Sequence, residues 1–294
     1  MSGVRLAWLR WSARRPDARA WGLMLPGTGW LLVFFMIPLL LMLVYSFMPK
    51  GMYGGVVAGF TFEHYLRFFD PLYLKILVTT VLYAAACTVL SLLMGYPVAY
   101  VISRAGPWKN LLVFLVIVPF WTSFLVRTYA MMFLLADEGL INKVLLALHL
   151  IEAPIAMLPS TSAVMAGLVY GFLPFMVLPI YGSLEKLDPS LLEAAEVLGA
   201  KPFARFMKIV LPLSMPGVVA GSLLVFIPAL GSYLTSDLLG GAKTFMIGNL
   251  VQQQFMKANN WPFGSAASFV VMAVVLAAVF GFLRQRDNSE AGGL

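Results

Sequence analysis

The sequence predicts an all-α integral membrane protein of six transmembrane helices with both termini in the cytoplasm. Three observations carry this. Of 294 residues, 61% are apolar and only 11% charged, whereas soluble domains carry about 25% charged residues. Six long segments are nearly free of ionisable side chains, and Lys and Arg are shared unequally between the two sides. An ionisable group at the bilayer centre costs at least about 2.5 kcal/mol, and about 20 helical residues cross the hydrocarbon. Residues 20–49, 76–103, 153–184, 209–236 and 258–283 contain no Asp, Glu, Lys or Arg, and only Arg127 interrupts the run between Lys109 and Asp137. The period-two alternation of a β-barrel is absent.

These runs place spans at about 23–48, 76–103, 110–135, 161–184, 212–236 and 263–283. They sit in a membrane domain over 22–284, preceded by a basic arm (1–21) and followed by a tail (285–294). With the N-terminus inside, 13 Lys and Arg and 7 acidic residues fall on the inner side, against 6 and 6 outside. The net charge is thus +6 inside and zero outside, as the positive-inside rule requires. The arm's Arg5, Arg10, Arg14, Arg15 and Arg19 read as a topology anchor rather than a nucleic-acid site. A cleaved signal peptide is not expected, because the first run is too long and Met48-Pro49-Lys50 lacks small residues.

Prolines punctuate the predicted spans, among them Pro38, Pro97, Pro119, Pro174, Pro179, Pro216 and Pro228. Each removes a backbone donor, which membrane helices tolerate where neighbours or a wet cavity re-satisfy the freed carbonyl. Moving parts or a pathway are the expectation, against the plainer reading that prolines are simply commoner in membrane helices. In the outer loop 137–160, the apolar stretch Ile141–Ile151 is too short to cross and is placed at the interface or over the bundle. The single cysteine, Cys87, excludes disulfides within the chain, and His64 and His149 are too far apart in sequence to suggest a metal site. No Gly-Lys dipeptide occurs, so the chain has no phosphate-cradling P-loop, and its driving energy must come from elsewhere.

The inner loop 185–211 is the exception to the apolar pattern. Asp188-Pro189 starts a helix by the usual capping rules, with Leu191, Leu192, Ala194, Ala195 and Leu198 on one side and Glu193 and Glu196 off it. Gly199 suits a left-handed cap, and Pro202 opens a second helix. That helix presents Phe203, Phe206, Met207 and Val210, with Arg205 and Lys208 opposite, and is expected to end at Leu211-Pro212. Paired alanines let another surface approach the backbone closely, and Glu193 offers a charge to set register. An interfacial helix lying on lipid headgroups is the competing reading, but its polar side would be rich in Lys and Arg rather than mixed.

Glu193-Ala194-Ala195, three residues, Gly199, nine residues, Ile209, one residue, Leu211-Pro212 matches without a gap the "EAA" motif of permeases of ATP-binding-cassette importers. The chain resembles the spermidine/putrescine branch of that family over about residues 21–284. Carrying stretches are Pro119-Phe120-Trp121-Thr122-Ser123-Phe124-Leu125-Val126-Arg127-Thr128-Tyr129-Ala130, Glu138-Gly139-Leu140-Ile141-Asn142, Tyr170–Met176, Phe226–Gly231, Asp237–Gly241 and Asn260–Ser265. One departure is Met131, where the family usually has Trp. The resemblance implies a type I importer permease fold and a bacterial inner-membrane location. It implies as partners a cytoplasmic ATPase dimer, a second related permease and an external solute-binding protein. It also implies that ATP and Mg are bound by the ATPase subunits, with no cofactor and no catalysis in this chain. Glu193, Ala194, Ala195, Gly199, Ile209, Leu211 and Pro212 become the ATPase-coupling residues.

A polyamine path should offer carboxylates and aromatic faces. Trp121, Tyr233 and Asp237 are the candidates, although interfacial-belt duty fits Tyr233 equally by depth. Arg127 would repel a polyamine and is expected to pair with Asp137 or Asp237 as a structural or gating lock. Other amines, iron or an oxyanion are alternative cargoes. A gradient-driven secondary transporter would want intramembrane carboxylates, and the predicted spans contain none.

Overall fold

The computed structural model describes residues 16–291. Arg5, Arg10, Arg14 and Arg15 of the predicted arm, and the last three residues of the tail, lie outside the described residues. The helices in chain order are α1 (Pro16–Ser46), α2 (Glu63–Phe68), α3 (Pro71–Arg104), α4 (Lys109–Ile117), α5 (Phe124–Leu135), α6 (Leu140–Ala147) and α7 (Thr161–Leu184). They continue with α8 (Pro189–Val197), α9 (Pro202–Arg205), α10 (Leu211–Leu230), α11 (Tyr233–Thr235), α12 (Ile247–Met256) and α13 (Trp261–Ala291). Among the described residues, extended pairing is limited to one isolated bridge between Lys50 and Val56.

Three long helices, α3, α7 and α10, pack against one another and make the core. Ala84, Cys87 and Ala99 of α3 meet Leu168, Met176 and Ile180 of α7 and Val225 and Ala229 of α10, all fully buried. Close approach is possible because α10 turns Gly217 and Gly221, four residues apart, toward α7. A Cβ at Gly217 would stand 2.5 Å from the Pro179 carbonyl oxygen, and one at Gly221 would stand 2.9 Å from Met176 Sδ. Between apolar helices in lipid, such small-residue seams replace the hydrophobic effect as the source of packing energy. The Tyr96 hydroxyl, 2.8 Å from Ser214 Oγ, adds a buried bond between α3 and α10. At the outer end Phe68, Ile247, Leu250, Phe263 and Ala267 form a second core, tied to α3 by the Ile247 N–H donating to Thr80 Oγ1 at 2.9 Å. Helix α1 packs against α13.

Among the described residues, five helices are long and apolar enough to cross a membrane, and the sixth segment is bent. Instead of one straight span over 110–135, Gly106–Trp121 and Phe124–Ala147 meet at 91°. Pro119 has no N–H to continue the ladder, and Thr122 turns its hydroxyl onto the Pro119 carbonyl at 2.8 Å. Thr122 and Ser123 are then extended, with ψ of 148° and 141°. The predicted fifth span is also shorter at its outer end. Helix α10 stops at Leu230, and after Gly231-Ser232 the chain resumes in a short turn through Gly240.

At its inner end the correction runs the other way. Leu211-Pro212 does not end the second helix of the inner loop, since the helix is continuous from Pro202 to Leu230. A widened turn over Phe206–Val210 absorbs the proline, the Leu211 N–H reaching back five residues to the Phe206 carbonyl.

Candidate functional site

The inner loop forms a helical hairpin whose turns are held by local chemistry. Asp188 caps α8 by accepting the Ser190 N–H at 2.9 Å, and this bond holds its carboxyl below the usual carboxylate range. Pro189 occupies the first helical position. At the other end Gly199 adopts φ +79°, its N–H bonding the Glu196 carbonyl while the Ala200 N–H bonds the Ala195 carbonyl, both at 2.9 Å. That pair of bonds is the Schellman closure, which needs a left-handed residue at the glycine position. Arg205 then reaches back across the turn to the Glu196 carboxylate. Lys109, at the foot of α4, bonds Glu185 at 2.7 Å, joining the two inner loops.

The hairpin splits its apolar residues between two surfaces. Phe206 points inward, edge-on to Tyr96 and Tyr100 at 5.6 and 5.9 Å, and Leu192 packs on the core. Val197, Leu198 and Phe203, 88%, 86% and 72% exposed, face outward around the turn. The single amphipathic faces expected from sequence are therefore divided, with Leu198 and Phe203 unburied. Glu193 and Ala194 are exposed, Ala195 and Ile209 half-buried, and Leu211 and Pro212 lie where the loop enters the membrane bundle. Glu193 also lines a cleft of about 520 Å³ with Arg104, Glu196 and Arg205, between the hairpin and the inner end of α3.

The proposed path residues are not brought together in this chain. Tyr233 lines a cleft of about 280 Å³ with Phe124, Phe172, Pro228 and Ser232, at the break after α10. Trp121 stands on the 91° bend rather than mid-helix, 74% exposed and edge-on to Phe114 at 5.5 Å. Asp237 is exposed in the turn beyond the break. Sequence reasoning missed Phe124 and Phe172; the signal available was Pro228 followed by Gly231, which marks a helix end next to a proline.

The expected pairing of Arg127 with Asp137 or Asp237 is not found. Among the described residues the only ion pairs within 4 Å are Lys109–Glu185 and Arg205–Glu196. Arg127 lies instead over Phe120 and Phe124, its Cζ 4.7 and 5.6 Å from the ring centroids, with Nε and Nη1 buried and unbonded. The bend at Thr122-Ser123 restarts α5, so Arg127 sits one turn into a new helix, beside its own phenylalanines.

Residues 88–286 match the family of binding-protein-dependent transport system inner membrane components. The chain belongs to that family. The permease is 43% identical over 257 residues to the spermidine/putrescine transport system permease protein PotB of Haemophilus influenzae, spanning 87% of this chain and 90% of the relative. It is 44% identical over 249 residues to PotB of Escherichia coli strain K12, spanning 84% and 90%. In shape it is similar to a chain of a bacterial alginate ABC transporter in complex with an alginate pentasaccharide-bound periplasmic protein. That likeness has a TM-score of 0.73 at 18% identity and covers 92% of this chain and 95% of the other. The permease is thus a multi-pass inner-membrane protein with the importer permease fold. The family match begins half-way along α3 and takes in the hairpin, α7 and α10, leaving out α1, α2 and the first half of α3.

Proposed function

We propose that this permease is one of two membrane subunits of an ATP-driven importer, carrying putrescine, spermidine or a similar small cationic amine inward. The hairpin of α8 and α9 seats in a groove of a cytoplasmic ATPase dimer, which binds and hydrolyses ATP with Mg. A second, related permease completes the path, and an external solute-binding protein delivers the cargo. The chain itself performs no bond chemistry.

The observation that carries the reading is the hairpin. Its turn is locked by Gly199 and the Glu196–Arg205 contact, while Val197, Leu198 and Phe203 stand out unburied. A loop built this stiffly around an uncovered apolar tip suits a surface that is pushed. The choice of cargo rests on the two PotB relatives and on the aromatic cleft of Phe124, Phe172 and Tyr233, whose ring faces attract ammonium groups by about 0.5–2 kcal/mol each.

An anionic cargo is the second reading, favoured by the missing carboxylate partner of Arg127. Against it, Arg127 packs on Phe120 and Phe124 and does not line the cleft that holds Tyr233. Uptake by cells expressing the whole importer decides between them. Labelled putrescine should be competed by spermidine and not by an oxyanion, and uptake should vanish when the partner ATPase is deleted. Oxyanion uptake with no polyamine competition would overturn the cargo, and uptake surviving without the ATPase would overturn the drive.

A further inference from the structure

Away from the hairpin and the aromatic cleft, a third hollow of about 530 Å³ opens at the outer end of α3, between that helix and the segment leading into α12. Its rim carries Lys75 and Lys243 with Gln253 and Gln254, and Tyr73, Thr79, Tyr83 and Leu250 line it further in. Among the described residues, no carboxylate lines it. Both lysines are exposed, and neither has an acidic partner within 4 Å among the described residues. Two unpaired ammonium groups beside two side-chain amides make a donor-rich rim with a net charge of +2.

The face of α3 beside the hollow limits the occupant. From Lys75 the exposed face of α3 continues through Val78, Leu82, Val89 and Leu93. These residues share one side of the helix, and Lys75 to Leu93 spans about 27 Å at 1.5 Å per residue, close to one hydrocarbon thickness. A lone interfacial lysine needs no explanation, because such side chains snorkel. Two on the lip of one hollow, at the head of an apolar stripe as long as the membrane is thick, match the shape and charge order of a lipid. The same rim would repel a polyamine, so it is not a stage of the path.

We infer that this hollow is a binding site for an anionic phospholipid of the outer leaflet, its phosphate held by Lys75 and Lys243 and its acyl chains lying along α3. The inference rests on the inside–outside orientation used above, but not on the identity of the cargo. Anionic headgroups gain about 1 kcal/mol per nearby basic side chain.

The test uses the purified importer complex in neutral detergent. Binding of short-chain phosphatidylglycerol, phosphatidylcholine and inorganic phosphate is measured by native mass spectrometry and thermal shift. Phosphatidylglycerol should bind selectively, Lys75→Gln or Lys243→Gln should each weaken it about fivefold, and Lys143→Gln, outside the hollow, should not. Phosphatidylcholine binding equally well, or a double variant that keeps full phosphatidylglycerol binding, would overturn the site. Inorganic phosphate alone giving the same shift would overturn the lipid. A double variant that keeps the lipid but raises the half-saturating concentration of loaded binding protein would make the rim a protein dock instead. Each readout stands whatever the competition uptake assay shows.

Discussion

Glu193 is exposed beside Ala194 and faces the cleft under the hairpin, so its carboxylate contributes little to the chain's own fold. Glu193→Ala is expected to leave membrane insertion intact and to reduce co-purification of the ATPase and transport together; unchanged retention of the ATPase on affinity resin would refute the coupling role. Arg127 is the opposite case, a half-buried charge with two unbonded donors. An unsatisfied buried donor costs about 1–3 kcal/mol, and replacing such a group by an apolar side chain of similar size is often neutral or stabilising. Arg127→Met should therefore raise the melting temperature of the isolated permease in detergent, and a clear fall would show that the guanidinium has acceptors. Trp121 and Asp237 are candidates for their aromatic face and carboxylate, and are located by depth along ideal straight helices. That measure fails at Thr122-Ser123 and at Gly231, where the axis stops, so the nearby Phe124 and Phe172 were overlooked.

Single elements of the inner loop were legible because their signals act within a few residues. Asp188-Pro189 starts α8, Gly199 closes it and Pro202 starts α9 in sequence and structure alike. Proline breaks were not legible, because whether a helix kinks, widens or stops depends on what neighbours offer the freed carbonyl. Pro212 is absorbed by a widened turn, Pro119 ends in a right-angled bend, and Pro174 and Pro179 lie inside an unbroken α7. At Gly199 a Cβ would meet nothing within 4 Å, so the cost of substitution is backbone strain alone, about 1 kcal/mol for alanine and less for asparagine. Transport and ATPase stimulation should rank Gly199 above Gly199→Asn, and that above Gly199→Ala; equal activity of all three would show that the closure carries no load. The seam at Gly217 is steric. Gly217→Leu is expected to destabilise packing of α10 on α7 enough to abolish accumulation of folded protein, read as loss of a monodisperse peak on size-exclusion chromatography. The Gly217-x-x-x-Gly221 spacing is itself a close-packing signal in the sequence.

At the scale of the whole molecule, the Lys109–Glu185 pair ties the foot of the bent third segment to the start of the hairpin. Lys109 holds the Glu185 carboxyl below the ordinary glutamate range, and Glu185 holds the Lys109 amine above the ordinary lysine range. The carboxylate's contribution is present above the unfolded glutamate value and is lost as pH falls through the lowered folded value. The amine's contribution is present below the unfolded lysine value and is lost as pH rises through the raised folded value. The tether is thus closed across neutral pH and opens in acid. Spin labels on Asn110→Cys and Lys186→Cys should move apart on acidification, with Lys109→Gln already apart at pH 7; a distance that ignores both would show that the tether holds nothing. The helix from Pro202 to Leu230 has one end in the hairpin and the other at the aromatic cleft, with no break between. Its 29 residues make a rod about 43 Å long, and tilting it 10° about its middle moves each tip by nearly 4 Å in opposite senses. If this continuous helix moves as one body, a displacement at the hairpin end reaches the outer mouth with equal size and opposite sense.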